Sequence, residues 1–222
     1  MIELKLPNIN SIITFQEGES IKTLSIANIS VFYDLYLMIK SSYDDVFYLT
    51  VNNVKKTFFK NVAIISDIFQ LNENDKNNIK LLYKDIESKI SIKQKDLLNK
   101  IDQLSSELMF DISLNSNKKM EYETKTNIIG ILELYKYRFC IENYESLFDL
   151  FLNYLKALDR IKNNVLVITF DFLHYFDDNH LEILKEELIF YNIKLLDIKY
   201  VFDKKPLKNI DDLFVDNDLC EY

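Results

Sequence analysis

Two glycines, Gly18 and Gly130, serve a chain of 222 residues. At an ordinary usage of ~7%, about fifteen are expected. Glycine adopts positive φ freely and lets a backbone come close to a ligand. Loops that cradle phosphate depend on several glycines, because successive backbone amides must turn toward one anion. Neither G-x-G-x-x-G nor G-x-x-x-x-G-K-[ST] can be written with two isolated glycines. Nucleotide binding through either loop is thereby excluded, and no nucleotide cofactor is expected.

The remaining composition is that of a folded chain. Hydrophobic residues make up 48% and charged residues 28%, a globular balance, and the length suits one domain or one domain with a large insertion. No apolar run approaches the ~18–20 residues that span a bilayer. Met1 to Pro7 lacks a basic stretch followed by an apolar one, so no signal peptide is expected. Cys140 and Cys220 are too few for a disulfide scaffold, which fits a reducing cytoplasm. The net charge of −8 argues against a protein that coats nucleic acid with its whole surface. Any DNA site must be segregated from an acidic exterior.

Periodicity divides the chain in three. Ile21–Ile26 and Val46–Val51 have strand character, Val31–Ile39 is a helix-length apolar segment, and Val62–Asp67 reads as a buried parallel strand. Helical spacing then takes over, with Ile79, Leu82, Ile86 and Ile90 followed by Leu97, Ile101, Leu104 and Leu108. Ser91-Ile92-Lys93-Gln94 has the form of a capping box and predicts a break. The resulting helices, of about 15 and 22 residues, would measure about 23 and 33 Å. One apolar stripe on helices this long calls for a partner in the same chain or another subunit. Asn115–Lys119 reads as a loop, helices follow over Thr126–Arg138 and Leu147–Ile161, and Val165–Phe170 begins a β-α-β unit. Its helix is expected to be capped near Asn179 and its second strand to run from Ile193 to Tyr200; the acidic tail after Pro206 is expected to be loosely held. These elements predict an α/β head from residues 1–70 and 145–222, with a small mostly parallel sheet. A helical domain is inserted at residues 71–144.

Candidate chemistry is sparse. Asp67 and Asp171 each stand just beyond a predicted parallel strand, where open α/β sheets place ligands. A structural or capping role is the simpler reading, and a metal-dependent nuclease is the alternative. Asp85, Glu87 and Lys89 resemble half of a nuclease motif, yet on a helix residues i and i+2 face different ways. His174 and His180 are the sole histidines, too few for the three side chains that typically hold a catalytic zinc. Three basic clusters remain: Lys55-Lys56 with Lys60, Lys118-Lys119, and Lys204-Lys205 with Lys208.

The order and wording of these segments resemble the Csn-two family of type II-A CRISPR systems. The likeness runs along most of the chain. It is carried by Ile26–Phe32, Val62–Ile68, Asp85–Ser88, Ile101–Leu104, Met120–Glu123, Ile131–Leu134 and the span from Val165 to Leu196. The resemblance implies a head built on a degenerate P-loop-like fold without its phosphate loop, and a helical leg. It further implies a homotetrameric ring that threads onto double-stranded DNA ends without catalysis. Its partners would be the CRISPR integrase complex and the effector nuclease, and its role the acquisition of new spacers in antiviral defence. Lys55, Lys56 and Lys60 match a lysine-rich stretch of the family and are the leading DNA-binding candidates, with Lys118 and Lys119 behind them. The family also implies calcium, held by a dense acidic run. Here that run is thinned to Glu121 and Glu123; a cation wanting six to eight oxygens would be held weakly or not at all. A protein-interaction scaffold without DNA binding is the remaining alternative.

Overall fold

Apolar runs that read as strands in the sequence form four of the five strands of one parallel sheet. The structure is a computed structural model describing residues 1–41, 44–114, 126–140, 144–161, 166–202 and 211–222. The chain divides into two compact units, Met1–Asn72 with Asn143–Tyr222, and Glu73–Glu142.

The first unit is α/β. Its main sheet joins β3 (Ile21–Ile26), β6 (Val62–Ile65), β7 (Leu166–Phe170), β8 (Lys194–Tyr200) and β9 (Asp211–Val215) in the order β6-β7-β8-β3-β9. Every pairing in it is parallel. A second, antiparallel sheet joins β1 (Ile2–Lys5), β2 (Ile13–Phe15), β4 (Tyr48–Val51) and β5 (Val54–Lys56) in the order β2-β1-β4-β5. Strand alternation sends Leu24, Ile26, Leu166, Ile168, Leu196 and Ile198 into one core, with α1 (Ile29–Lys40) and the antiparallel sheet. Ile21, Ala63, Ile65, Val167 and Leu195 enter the other, against α6 (Leu147–Ile161) and α7 (Asp178–Phe190). The parallel sheet is therefore covered on both faces, which is why its strands read as continuous apolar runs.

Two expectations are corrected here. The acidic tail is not loose: β9 extends the sheet beside β3. Beyond it, Glu221 accepts from the backbone N–H groups of Asn10 and Ser11 at 2.5 and 2.6 Å. Leu213, Phe214 and Val215 supply the strand character that the surrounding aspartates obscure. The cap of α7 is Asp177 rather than Asn179, its carboxylate accepting from the His180 N–H at 2.9 Å.

Scarce glycine has a structural counterpart. Seven non-glycine residues among those described have positive φ, and four of them are asparagines: Asn8, Asn52, Asn53 and Asn192. A short polar side chain that hydrogen-bonds locally makes asparagine the least costly substitute. Asn52 (φ 50°) and Asn53 (φ 62°) form the two-residue connection between β4 and β5, since Val51 pairs with Val54. Positive φ at both positions is the signature of a type I′ hairpin turn.

The second unit holds α3 (Lys76–Ser88), α4 (Ile92–Leu114) and α5 (Ile128–Leu134). The capping box forms as expected: Gln94 accepts from the Ser91 N–H at 2.8 Å while the Ser91 hydroxyl accepts from the Gln94 N–H at 3.3 Å. α4 buries no residue, and its stripe of Leu97, Ile101, Leu104 and Leu108 lies exposed. α5 is shorter than the predicted Thr126–Arg138 helix. It ends where Lys136 takes a left-handed φ of 50° and the Tyr137 N–H returns to the Leu132 carbonyl at 2.8 Å. α7 ends in the same way at Asn192.

Candidate nucleic-acid interface

Lys55 and Lys56 sit on β5 opposite Thr50 and Leu49, so they project to alternate faces of the hairpin. Lys60 closes the short helix α2 (Phe58–Asn61), and all three are exposed. Buried Phe58, stacked on Phe47 with ring centroids 4.1 Å apart, anchors the segment that presents them. The Lys55 ammonium lies 5.9 Å from the centre of the exposed Tyr48 ring, close enough for cation–π attraction. None of the three forms an ion pair among the described residues, where lysine pairs are Lys22–Glu19, Lys89–Asp85 and Lys156–Glu187. Lys118, Lys119, Lys204, Lys205, Lys208 and the calcium candidates Glu121 and Glu123 lie outside the described residues.

The nuclease candidates have local partners, a turn for Asp67 and a histidine for Asp171. Asp67 caps a short 3-10 turn, accepting from the Phe69 N–H at 2.9 Å and the Gln70 side-chain amide at 2.7 Å. Asp171 has φ 58° and lies 3.2 Å from Nδ1 of His174. Nδ1 of His180 approaches Asp177 at 2.9 Å. Among the described residues, no three His, Cys, Asp or Glu side chains are grouped to hold a metal. Asp85 of the half-motif pairs with Lys89, the residue just past the end of α3, at 2.7 Å.

A buried carboxylate escaped sequence reasoning. Toward the C-terminal ends of the parallel strands, the face covered by α6 and α7 turns polar, with Thr23, Ser25, Thr169, Asp197 and Lys199 all buried. Asp197 accepts from the Thr169 hydroxyl at 2.5 Å and from the Phe172 and Leu173 N–H groups at 2.9 and 3.3 Å. Burial raises its pKa, and these donors only partly oppose the rise. Asp197 thus fixes the turn that presents Asp171.

The second unit contains a cationic cleft that no run of adjacent lysines announced. Its volume is about 620 Å³. Lys76, Lys80 and Lys84 stand one helical turn apart on α3, and Lys136 and Arg138 face them from the segment after α5; Glu133 is the one carboxylate in the lining. None of these five cations forms an ion pair among the described residues. Beneath them lie Ile79, Ile129 and the buried Tyr83. The Tyr83 hydroxyl reaches the Leu132 and Tyr137 carbonyls at 3.2 and 2.9 Å. The Asn74 side chain donates to the Phe139 carbonyl at 3.1 Å and accepts from the Phe139 N–H at 2.8 Å. The returning segment is therefore pinned on both sides of Arg138, by Tyr83 of α3 and by Asn74 just before that helix.

No family model matches the chain, and no curated protein matches it. Among solved structures it is similar to a dimeric ATP-binding cassette in a post-hydrolysis state bound to ADP and Pi, at 12% identity. That alignment covers 90% of this chain and 88% of the other, with a TM-score of 0.33, which carries no argument about function.

Proposed function

We propose that copies of this chain close into a homotetrameric ring around double-stranded DNA and hold its ends during CRISPR spacer acquisition. The ring works in the cytoplasm beside the integrase complex and the effector nuclease. One observation carries the reading: Lys55, Lys56 and Lys60 are exposed and free of carboxylate partners within a chain of net charge −8. The resemblance to the Csn-two family supports it, as does the exposed apolar stripe of α4, which another copy would cover. Contacts of this kind go to phosphates, so binding is indifferent to base sequence and falls steeply with salt.

The test compares a linear duplex with a covalently closed circle of the same sequence, by gel retardation and fluorescence anisotropy. A threading ring retains the linear form and releases the circle; equal binding of the two refutes threading. Changing Lys55, Lys56 and Lys60 to Glu abolishes retardation. Neutralising them to Gln flattens the slope of log K against log salt by about 0.9 for each lysine that meets a phosphate. Unchanged retardation rejects the assignment of these lysines.

A further inference from the structure

We infer that the cationic cleft of the second unit binds a nucleoside phosphate carrying several negative charges, either free or as the end of a nucleic-acid strand. The inference stands apart from the duplex reading, because it concerns a different set of cations. It also differs from the site excluded by the glycine count. That count rules out a cradle of backbone amides, whereas this cleft offers side-chain ammonium and guanidinium groups.

Three features select the ligand. Its size comes first: about 620 Å³ lies within the range of small-molecule sites, ~300–1,000 Å³. Charge comes second. Lys76, Lys80 and Lys84 are spaced four residues apart, so they form a row with steps of about 6 Å and a length of about 12 Å. A single carboxylate would engage one of them; a chain of phosphates engages the row, with Lys136 and Arg138 closing from the opposite wall. The third feature is the apolar floor of Ile79, Ile129 and Tyr83, with Tyr137 exposed at the rim. Inorganic polyphosphate has no use for that floor, and a fatty acid has no use for the row. A base joined to phosphates uses both, and a tyrosine rim suits stacking.

Lys136 gives the inference a sharp test. It supplies a cation to the cleft while holding the left-handed φ of 50° that ends α5. Glycine adopts that conformation without strain, so Lys136→Gly keeps the turn and removes the charge. The experiment uses the full chain, titrated by calorimetry with ATP, a 5′-phosphorylated hexathymidylate and inorganic tripolyphosphate at low salt. We expect ATP or the hexathymidylate to bind at one site per copy, with tripolyphosphate at least tenfold weaker. Lys80→Ala and Lys84→Ala each weaken binding about tenfold, the effect of one charged hydrogen bond. Lys136→Gly weakens it without lowering the thermal midpoint, while the Gln variant of Lys55, Lys56 and Lys60 leaves it unchanged. Tighter binding of ATP assigns the site to a free nucleotide, and tighter binding of the hexathymidylate to a strand end. Tripolyphosphate binding as tightly as both, or wild-type affinity in Lys80→Ala and Lys136→Gly alike, overturns the inference.

Discussion

Replacing Asp197 by alanine removes the acceptor that three buried donors share. The Phe172 and Leu173 N–H groups lie 2.9 and 3.3 Å from its oxygens. A buried donor left without a partner costs about 1–3 kcal/mol. The Thr169 hydroxyl, at 2.5 Å, is fully buried and loses the same acceptor. Against these losses stands the relief of a carboxylate whose ionisation burial already disfavours. The net expectation is a loss of about 2–4 kcal/mol, a large share of the ~5–15 kcal/mol of an ordinary domain. Asp197→Asn keeps one acceptor and loses less. The pH dependence provides the sharper check. A carboxyl with a raised folded pKa binds more protons folded than unfolded, so its stabilisation is fullest below the ordinary aspartate pKa. It is lost as pH rises through the raised folded value. The deficit of either variant should thus be greatest in acid and shrink toward neutrality. Urea unfolding between pH 4 and 8 measures it. A loss below about 1 kcal/mol for Asp197→Ala, or a deficit that grows with pH, refutes the reasoning.

Two more predictions concern the turns and the tail. Asn53→Gly places the preferred residue in the second position of the β4–β5 turn and should raise stability by about 0.5–1 kcal/mol, read as a higher urea midpoint at unchanged slope. For Glu221, burial raises the pKa but the donors Ser11 and Asn10 outweigh it, with help from Lys5, and the net shift is downward. Its stabilisation is present above the ordinary carboxylate range and is lost as pH falls through the lowered folded pKa. Exchange of the Asn10 and Ser11 amide protons should accelerate there once intrinsic rates are corrected. Glu221→Gln should remove that acid-induced change, and equal acceleration in both proteins would refute the anchor.

Elements that bury both faces, or carry their own punctuation, were readable before the fold. Ile21–Ile26 is β3 to the residue, and the Ser91–Gln94 box separates α3 from α4. The short strands of the antiparallel sheet carry too few residues for a period to emerge, so β1 and β2 went unread, and β9 was hidden by its aspartates. α5 ends without glycine or proline. Lys136 adopts the left-handed conformation itself, so the returning segment with Arg138 read as more helix. This also explains the missed cleft: the i, i+4 row of Lys76, Lys80 and Lys84 was legible, but the opposite wall exists only after the chain turns back. Asp197 was passed over because nothing in its neighbours marks a carboxylate enclosed between strands.

The acidic total and the unpaired lysines are compatible because many carboxylates are engaged at turns. Backbone N–H groups at helix starts and reversals need acceptors, and here carboxylates supply many of them. Asp67, Asp75, Asp177, Asp216 and Glu221 each accept from backbone N–H groups. Such a carboxylate is oriented toward the main chain, often on a residue a few positions away, rather than toward a distant ammonium group. Charge is then sorted by role: acids at turns, where N–H dipoles stabilise them, and lysines along β5 and α3 with their ammonium groups unneutralised. Coulomb attraction within a Debye length, ~8 Å at physiological salt, depends on that sorting and not on the sum. On the two proposals above, a polyanion approaching Lys55 or the α3 row would meet unpaired ammonium groups on a chain whose net charge is −8.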